Sequence, residues 1–564
     1  MIHGRRSSEN WATAGFNLWG TNFTPFNQDH LFWVSSANGG DGRWYMARQG
    51  DGANYDWHLY QWDGLTKVGM PNEDTSWEPV SQGLVNNPVT SSSSEMLGQK
   101  ETHRLLLKWD DTNNILHIGQ IHMGRPTNDG CHYANYTFDP SNDNWTGGGA
   151  PKLVVHSNFV NIHDNVDPDS SSNGADMTSD TNWPNQAERL SMALEPAHST
   201  TTTWPRVWIS FMYSDGTNID VYANCSTSED YQTWEENAGS SSIANYMKLV
   251  DDNGFDVKAG GGTDQEMLHN DSQAKLYSGK TSGTPYIGLF YNNGSDNKWY
   301  TIERSVAAAP TAGGGEGFGS PAAVVTESDG LSHQMNVNTY FATGQNTSTV
   351  VFASTTAKHN IRYGVRLDGS WSTSHFVDGT NRGYPNIMGD PTNNNLFLFC
   401  ADHGVGTIND DVVLDYGNSA HAGNPCSTIQ MKVVNAENLS IDIAAWQQVL
   451  TVGTANTDYI TPMPVISRST PFDNAGGGGA APWFNNSKLL VMSTMIAPGS
   501  ANLWEYDSLD SGVRNLSVLW NEIDPVNYEV TTGNDTITSI TLQSPNVGQV
   551  VTVGEELTIT WDTN

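Results

Sequence analysis

Apolar and polar positions along the chain form a phrase that returns about seven times between Asp29 and Asp507. An apolar, strand-like run ends at Gly, Asn or Asp, and a second strand starting near a Tyr or Trp follows it. The clearest copy is Asn360-Ile361-Arg362-Tyr363-Gly364-Val365-Arg366-Leu367, the turn Asp368-Gly369, and Ser370-Trp371. Other copies pair residues 104–109 with 115–122, 206–213 with 219–223, 286–291 with 298–303, 396–400 with 429–434 and 488–493 with 503–507. A first copy runs through 30–34, 43–48 and 57–62. No window holds helical periodicity, and no apolar run approaches the ~20 residues of a membrane-spanning helix.

Many runs are apolar at consecutive positions rather than alternating, which is expected of strands covered on both faces. Strand pairs recurring without helices predict a β-propeller. The fold class expected is all-β, a seven-bladed β-propeller followed by a partial Ig-like β-sandwich segment. The spacing runs roughly from 40 to 70 residues, against ~40–50 for regular propeller repeats. The excess falls in polar stretches such as 165–186 and 475–481. A long β-helix or a pair of β-sandwiches is the competing reading, although the two-strand phrase is longer than a solenoid rung.

The expected domains are an N-terminal arm over 1–28, the propeller over 29–515, a linker over 516–536 and the start of an Ig-like module over 537–564. The last rests on Ile537-Thr538-Ser539-Ile540-Thr541-Leu542-Gln543-Ser544-Pro545 and on Val553-Gly554-Glu555-Glu556-Leu557-Thr558-Ile559-Thr560-Trp561. β-branched alternation, a Ser-Pro turn and a closing Trp resemble the opening strands of Ig-like modules on secreted microbial surface proteins. A whole sandwich of that kind needs ~100 residues, so the resemblance implies that the natural protein continues.

Composition narrows the partners. Of 564 residues, 26 are Lys or Arg and 61 are Asp or Glu, giving a formal charge of −35. Such a chain repels phosphates, so nucleic acid is excluded as a partner. The charge suits a saline or calcium-containing exterior, and it also serves solubility alone. Gly at 55 residues suits many turns, and 20 Trp with 20 Tyr supply much of the apolar burial. Cys131, Cys225, Cys400 and Cys426 show no CxxC spacing, which argues against zinc or redox chemistry. Cys400 and Cys426 flank one long stretch and could be bridged; buried thiols are the alternative. Residues 1–10 contain no apolar core of a secretory signal. The expected location is nonetheless extracellular: secreted, on a cell surface, or on a virion.

Three groups of residues carry candidate chemistry. Ser228-Glu229-Asp230-Tyr231-Gln232-Thr233-Trp234 is similar to the Asp-box of sialidase-like (BNR-repeat) propellers, one residue short and without its Gly. The resemblance implies a structural turn between outer strands, with the Asp capping backbone amides and the Trp packed between blades. Ile121-His122-Met123-Gly124-Arg125, followed by His132-Tyr133, resembles a stretch of BNR-propeller polysaccharide lyases. That resemblance implies His122 as base, Tyr133 as acid and Arg125 as neutraliser of a uronate carboxylate, in a β-elimination. A strand-end histidine bonded to a neighbouring blade is the structural alternative. No carboxylate pair of a glycosidase and no arginine triad of a sialidase can be singled out.

Asp164, Asp167, Asp169 and Asp176 lie in one Ser/Asn-rich stretch, and Asp402, Asp410 and Asp415 in another. Both could hold Ca²⁺, which takes several flexible oxygen ligands, or could be solvated loops. Trp57, Trp183, Trp204 and Trp483 are candidates for stacking on sugar rings, blade packing being the alternative for each. The function expected is recognition of a surface polysaccharide or cell-surface glycan. The alternatives are a propeller lyase of uronate glycans and a purely architectural module of a fibre, tail or surface layer.

Overall fold

The computed structural model describes strands between Ser35 and Thr563, the short turns between them, and most strand side chains between residues 106 and 450. Sheet I contains β1 (Ser35–Asn38), β2 (Trp44–Gln49), β3 (Trp57–Trp62) and β4 (Glu78–Pro79). Sheet II contains β5 (Leu105–Asp110), β6 (Ile115–His122), β7 (Gly130–Asp139), β8 (Asn144–Gly147) and β9 (Lys152–His156). Sheet III contains β10 (Ser191–Glu195), β11 (Arg206–Ser214), β12 (Ile219–Cys225) and β13 (Met247–Val250). Sheet IV contains β14 (Ala274–Thr281), β15 (Thr284–Asn293), β16 (Lys298–Ser305) and β17 (Ala322–Thr326). Sheet V contains β18 (Leu331–Tyr340), β19 (Thr349–Thr356), β20 (Ile361–Leu367) and β21 (Ser370–Phe376). Sheet VI contains β22 (Arg382–Gly389), β23 (Asn395–Asp402), β24 (Thr428–Asn435) and β25 (Asp442–Thr451). Sheet VII contains β26 (Val465–Ser467), β27 (Leu489–Ile496), β28 (Leu516–Ile523) and β29 (Val530–Thr531), and a hairpin of β30 (Ile540–Ser544) and β31 (Thr560–Thr563) follows.

Each sheet is an antiparallel meander in which strands adjacent in sequence pair in space, the topology of a β-propeller blade. A β-helix would stack its strands in parallel, so the solenoid alternative fails. First strands neighbour one another: β1 lies beside β5, β5 beside β10, β10 beside β14, β14 beside β18, and β18 beside β22. β26 lies beside β1. In sheet II the fourth position is divided. β8 pairs one half of β7 and β9 pairs the other. Sheet VII draws in β28 and β29, from the stretch expected to be linker; β28 carries Leu516, Val518, Leu519 and Trp520.

The continuous apolar runs have a direct cause. Along β15, Ile287, Leu289 and Tyr291 pack toward sheet III, while Tyr286 and Phe290 pack toward sheet V. Along β11, Val207, Ile209 and Phe211 face sheet II and Trp208 faces sheet IV. Successive side chains point to opposite faces, so a strand with a sheet on each side must be apolar at both parities. Fully burying each such side chain contributes about 1.5–3 kcal/mol. The core is therefore a series of seams, one between each described pair of sheets from II to VI.

Alternation also fixes two ends. Turns between first and second strands, and between third and fourth, lie at one end of a sheet, the hairpin end. Connections between second and third strands, and to the next sheet, leave from the other, the crossover end. Neighbouring sheets share this polarity. Gly283 N–H in the β14–β15 turn donates to Asn346 O before β19 (2.9 Å), and Tyr340 Oη at the end of β18 donates to Asn394 Oδ1 in the β22–β23 turn (2.7 Å).

Glycines let aromatic rings lie on the backbone of these seams. A Cβ added at Gly389 would sit 2.0 Å from the Tyr340 ring of the preceding sheet. Gly369 has φ +80° and open space around it, and serves only the β20–β21 turn. Gly389→Ala should therefore cost about 1–3 kcal/mol through overpacking of the seam between sheets V and VI. Urea unfolding followed by Trp fluorescence measures this; an unchanged midpoint would refute the wedge.

Candidate functional site

The topology sorts the sequence-selected residues by end. Trp57 is the first residue of β3, and His122 is the last of β6, with Arg125 in the connection that follows. Asp164, Asp167, Asp169, Asp176 and Trp183 fall between β9 and β10, Asp402 ends β23, and Asp410 and Asp415 precede β24. All of these attach at the crossover end. Trp204 and Trp483 instead belong to the β10–β11 and β26–β27 connections, at the hairpin end. Trp204 is half-buried, its ring 5.7 Å from that of Tyr231, so it serves the core between sheets II and III. Arg125, Trp183, Trp483 and the acidic stretches lie outside the described residues, as do Cys426 and the strand expected at 503–507. Cys131, Cys225 and Cys400 are buried. Among the described residues no three His, Cys, Asp or Glu converge as a metal site, and no helix is long and apolar enough to cross a membrane.

Register separates the two residues assigned to proton transfer. Position 122 pairs with Gly130, whereas Tyr133 pairs with Gly119. Even positions of β6 share one face and odd positions the other, so positions 122 and 133 fall on opposite faces of sheet II. Tyr133 is 1% exposed, and its hydroxyl lies 2.6 Å from Nδ1 of His117, a histidine the sequence pattern did not single out. Burial pushes the Tyr133 phenol well above its ordinary range and lowers His117 to about 3. The pair is sealed by Tyr231, whose ring meets His117 edge-on at 4.9 Å, and by Trp234, 5.1 Å from Tyr133. His117 Nε2 and Tyr231 Oη are both buried without a hydrogen-bond partner.

The Asp-box-like turn supplies those two rings. Asp230 Oδ1 accepts from Ser228 Oγ (2.5 Å) and from the Gln232 amide (3.0 Å), and the Thr233 amide donates to Ser228 Oγ (3.0 Å). Tyr231 adopts φ +58°, the left-handed conformation that a glycine would take without strain. The turn lies between β12 and β13, the outer strands of sheet III, and Trp234 packs toward sheet II. Its role is structural.

Two polar groups cross the seams near the hairpin end. Between sheets III and IV, Trp208 Nε1 donates to Glu195 Oε2 (2.5 Å), Arg206 lies 3.8 Å from the same oxygen, and Arg304 stacks over Trp208. Burial raises the Glu195 carboxyl above its ordinary range, and the Trp208 hydrogen bond and the two arginines offset only part of that rise. Between sheets IV and V, Glu303 Oε1 accepts from Tyr277 Oη (2.7 Å) and from Arg366, whose guanidinium covers the Tyr286 ring at 5.4 Å. The first group is sealed. The second reaches solvent, with the Glu303 side chain 29% exposed and the Arg366 side chain 10%. Trp371, half-buried against Phe290 and Phe352, pairs with Arg366 across β20 and β21.

No family model matches the chain, and no curated protein matches it. Solved structures give distant likenesses. An ulvan lyase of a new polysaccharide lyase family, bound to a GlcA(1-4)Rha3S unit, is 8% identical with a TM-score of 0.40, over 88% of this chain and 94% of that one. The Aleuria aurantia lectin with α-methyl-L-fucoside is 12% identical with a TM-score of 0.35, over 75% and 95%; its fold is a six-bladed β-propeller. AofleA from Arthrobotrys oligospora is 8% identical with a TM-score of 0.36, over 80% and 96%.

The His117 depression has a sign. A histidine whose folded pKa lies below its unfolded 6.5 contributes its full stability above pH 6.5, and this is lost as pH falls toward 3. Replacing it by a group that does not titrate, His117→Gln, should remove about 1.4 kcal/mol per pH unit from the slope of stability between pH 6 and 4. Urea titrations of both proteins at pH 6.5 and 5.0 measure the difference; parallel slopes would place His117 in solvent contact.

Proposed function

We propose that the chain is an extracellular or virion-surface protein whose seven sheets close into a seven-bladed β-propeller, followed by the start of an Ig-like module, and that it recognises surface polysaccharide. What supports the site is chain order: Trp57 begins β3, and the stretches with Trp183 and the two acidic groups fall in connections that depart from the same end of their sheets. A ring of meanders brings such connections together around a shared mouth, where ligands meet propellers. The neighbouring placement of β26 and β1 supports closure of the ring. The two acidic stretches are proposed as Ca²⁺ sites, since carboxylate and hydroxyl oxygens are the hard donors calcium takes. Bound calcium would offset repulsion at that end and order the connections around a glycan.

The lyase reading is the lesser one. It needs His122, Arg125 and Tyr133 on one substrate, while register divides positions 122 and 133 and Tyr133 is committed to His117. The β9–β10 connection also carries Asp164, Asp167, Asp169, Asp176, Asp180 and Glu188 against Arg189, and residues 403–427 contain no Lys or Arg. Without bound calcium such a rim repels a uronate polymer.

Glycan-array binding without ultraviolet-absorbing unsaturated products is the expected outcome. Unsaturated products that disappear in His122→Ala would replace the binding function by the lyase, and silence on every glycan would leave the architectural module. Excess EDTA should lower the melting temperature, because an ion bound only to the folded state stabilises it by mass action. A melting curve that EDTA does not move would remove calcium from the reading.

A further inference from the structure

The half-open seam between sheets IV and V has a donor and acceptor set that the fold does not use. Glu303 Oε1 is occupied by Tyr277 and Arg366, but Oε2 accepts from no protein group and is not sealed from solvent. The Arg366 guanidinium donates to Glu303 alone; its other N–H groups have no protein acceptor, and none is buried without a partner. The Arg366 side chain is mostly buried at 10% exposed, and these groups keep a limited contact with solvent. Trp371 Nε1 is in the same condition, and the cross-strand pairing of Trp371 with Arg366 places both on the face turned to sheet IV.

The parts that hold them are rigid. Tyr277 lies on Gly288, where an added Cβ would come within 2.3 Å of the ring, and Tyr286 lies on Gly279 with its hydroxyl 2.8 Å from Ser348 Oγ. Burial pushes Tyr286 up to about 12 and Tyr277 well above its ordinary range, so both stay neutral hydrogen-bonding groups. A partly exposed carboxylate oxygen, guanidinium donors that are not fully sealed and a half-buried indole form a fixed recognition set at the hairpin end. It is separate from the residues gathered at the crossover end.

We propose that this seam is a saccharide subsite, and that its ligand is a neutral sugar bound through two adjacent hydroxyls. One hydroxyl donates to Glu303 Oε2 and its neighbour accepts from Arg366, while the sugar's apolar face rests against the edge of Trp371. An anionic sugar fits poorly. Its carboxylate or sulfate would need Arg366, whose charge Glu303 already neutralises, and would approach a chain of net charge −35. The proposal rests on the glycan-recognition reading and adds a position and a class of sugar.

The test is a glycan array spanning neutral and uronate or sulfated oligosaccharides, followed by calorimetry of each hit with wild type, Glu303→Gln and Trp371→Phe. Glu303→Gln is isosteric, Trp371→Phe keeps an aromatic ring against Phe290 and Phe352, and thermal melting checks that the fold survives. Neutral glycans should bind, and each variant should weaken them about tenfold or more, the effect of one lost charge-assisted hydrogen bond or indole contact. Neutral binding that neither folded variant changes would overturn the subsite and leave recognition to the crossover end. Binding restricted to anionic glycans would overturn the class of sugar. If no glycan binds at all, the glycan-recognition reading itself falls, and the subsite with it.

Discussion

The structure depends on the seam between consecutive sheets. The inner strands of each central sheet have no solvent face, so their positions must satisfy a neighbour on one side or the other. The dipeptide Glu303-Arg304 shows the constraint in two residues. Alternation sends Arg304 over Trp208 of sheet III and Glu303 to Arg366 of sheet V. Adjacent residues of one strand thus join three sheets. Charges in such places lose their hydration and are tolerated only when paired and hydrogen-bonded. Tyr277, Tyr286 and Trp208 supply the remaining contacts, which is why aromatic residues with a polar atom recur beside these pairs.

The same constraint explains which strands were legible. Several copies of the recurring two-strand phrase are second and third strands, such as β11 with β12 and β15 with β16, whereas the copy at 360–371 is β20 with β21, third and fourth, and the copy at 104–122 is β5 with β6, first and second. Second and third strands are covered on both faces and read as apolar runs. First strands such as Ser191–Glu195 and Arg382–Gly389 are short or carry Gly and polar positions; at Gly389 the Tyr340 ring of the preceding sheet lies against the backbone. Fourth strands are edges and carry mixed sequences. The β28 strand falls in the stretch expected to be linker because the recurring phrase ends at Asp507.

Turn chemistry was partly legible. The Asp-box resemblance located a real turn, although the missing glycine hid that Tyr231 itself takes the left-handed position. A second repeat went unread. Asp110-Asp111-Thr112-Asn113-Asn114 and Asp390-Pro391-Thr392-Asn393-Asn394 both close a first-to-second-strand hairpin. In each, the Asn side chain donates to the buried Asp at 2.8 Å, and the last Asn has φ near +52° or +53°. Asn tolerates that conformation, so the pattern was available as a signal of repeat phase. His117 could not be found this way, since an isolated strand histidine has no signature until the register brings Tyr133 to it.

Charge decides between the chemistries a propeller could host here. An enzyme acting on polyanionic glycans needs uncommitted positive charge at its substrate, yet the described arginines at the seams are engaged with carboxylates or aromatic faces. The connections at the crossover end add carboxylates faster than they add lysine or arginine. A neutral polysaccharide meets no such penalty. It is recognised by fixed hydroxyl, amide and carboxylate geometry and by aromatic faces, and it is insensitive to the net charge of the chain. On the reading proposed above, paired charges and tyrosines held on glycines are the groups that would hold a neutral sugar.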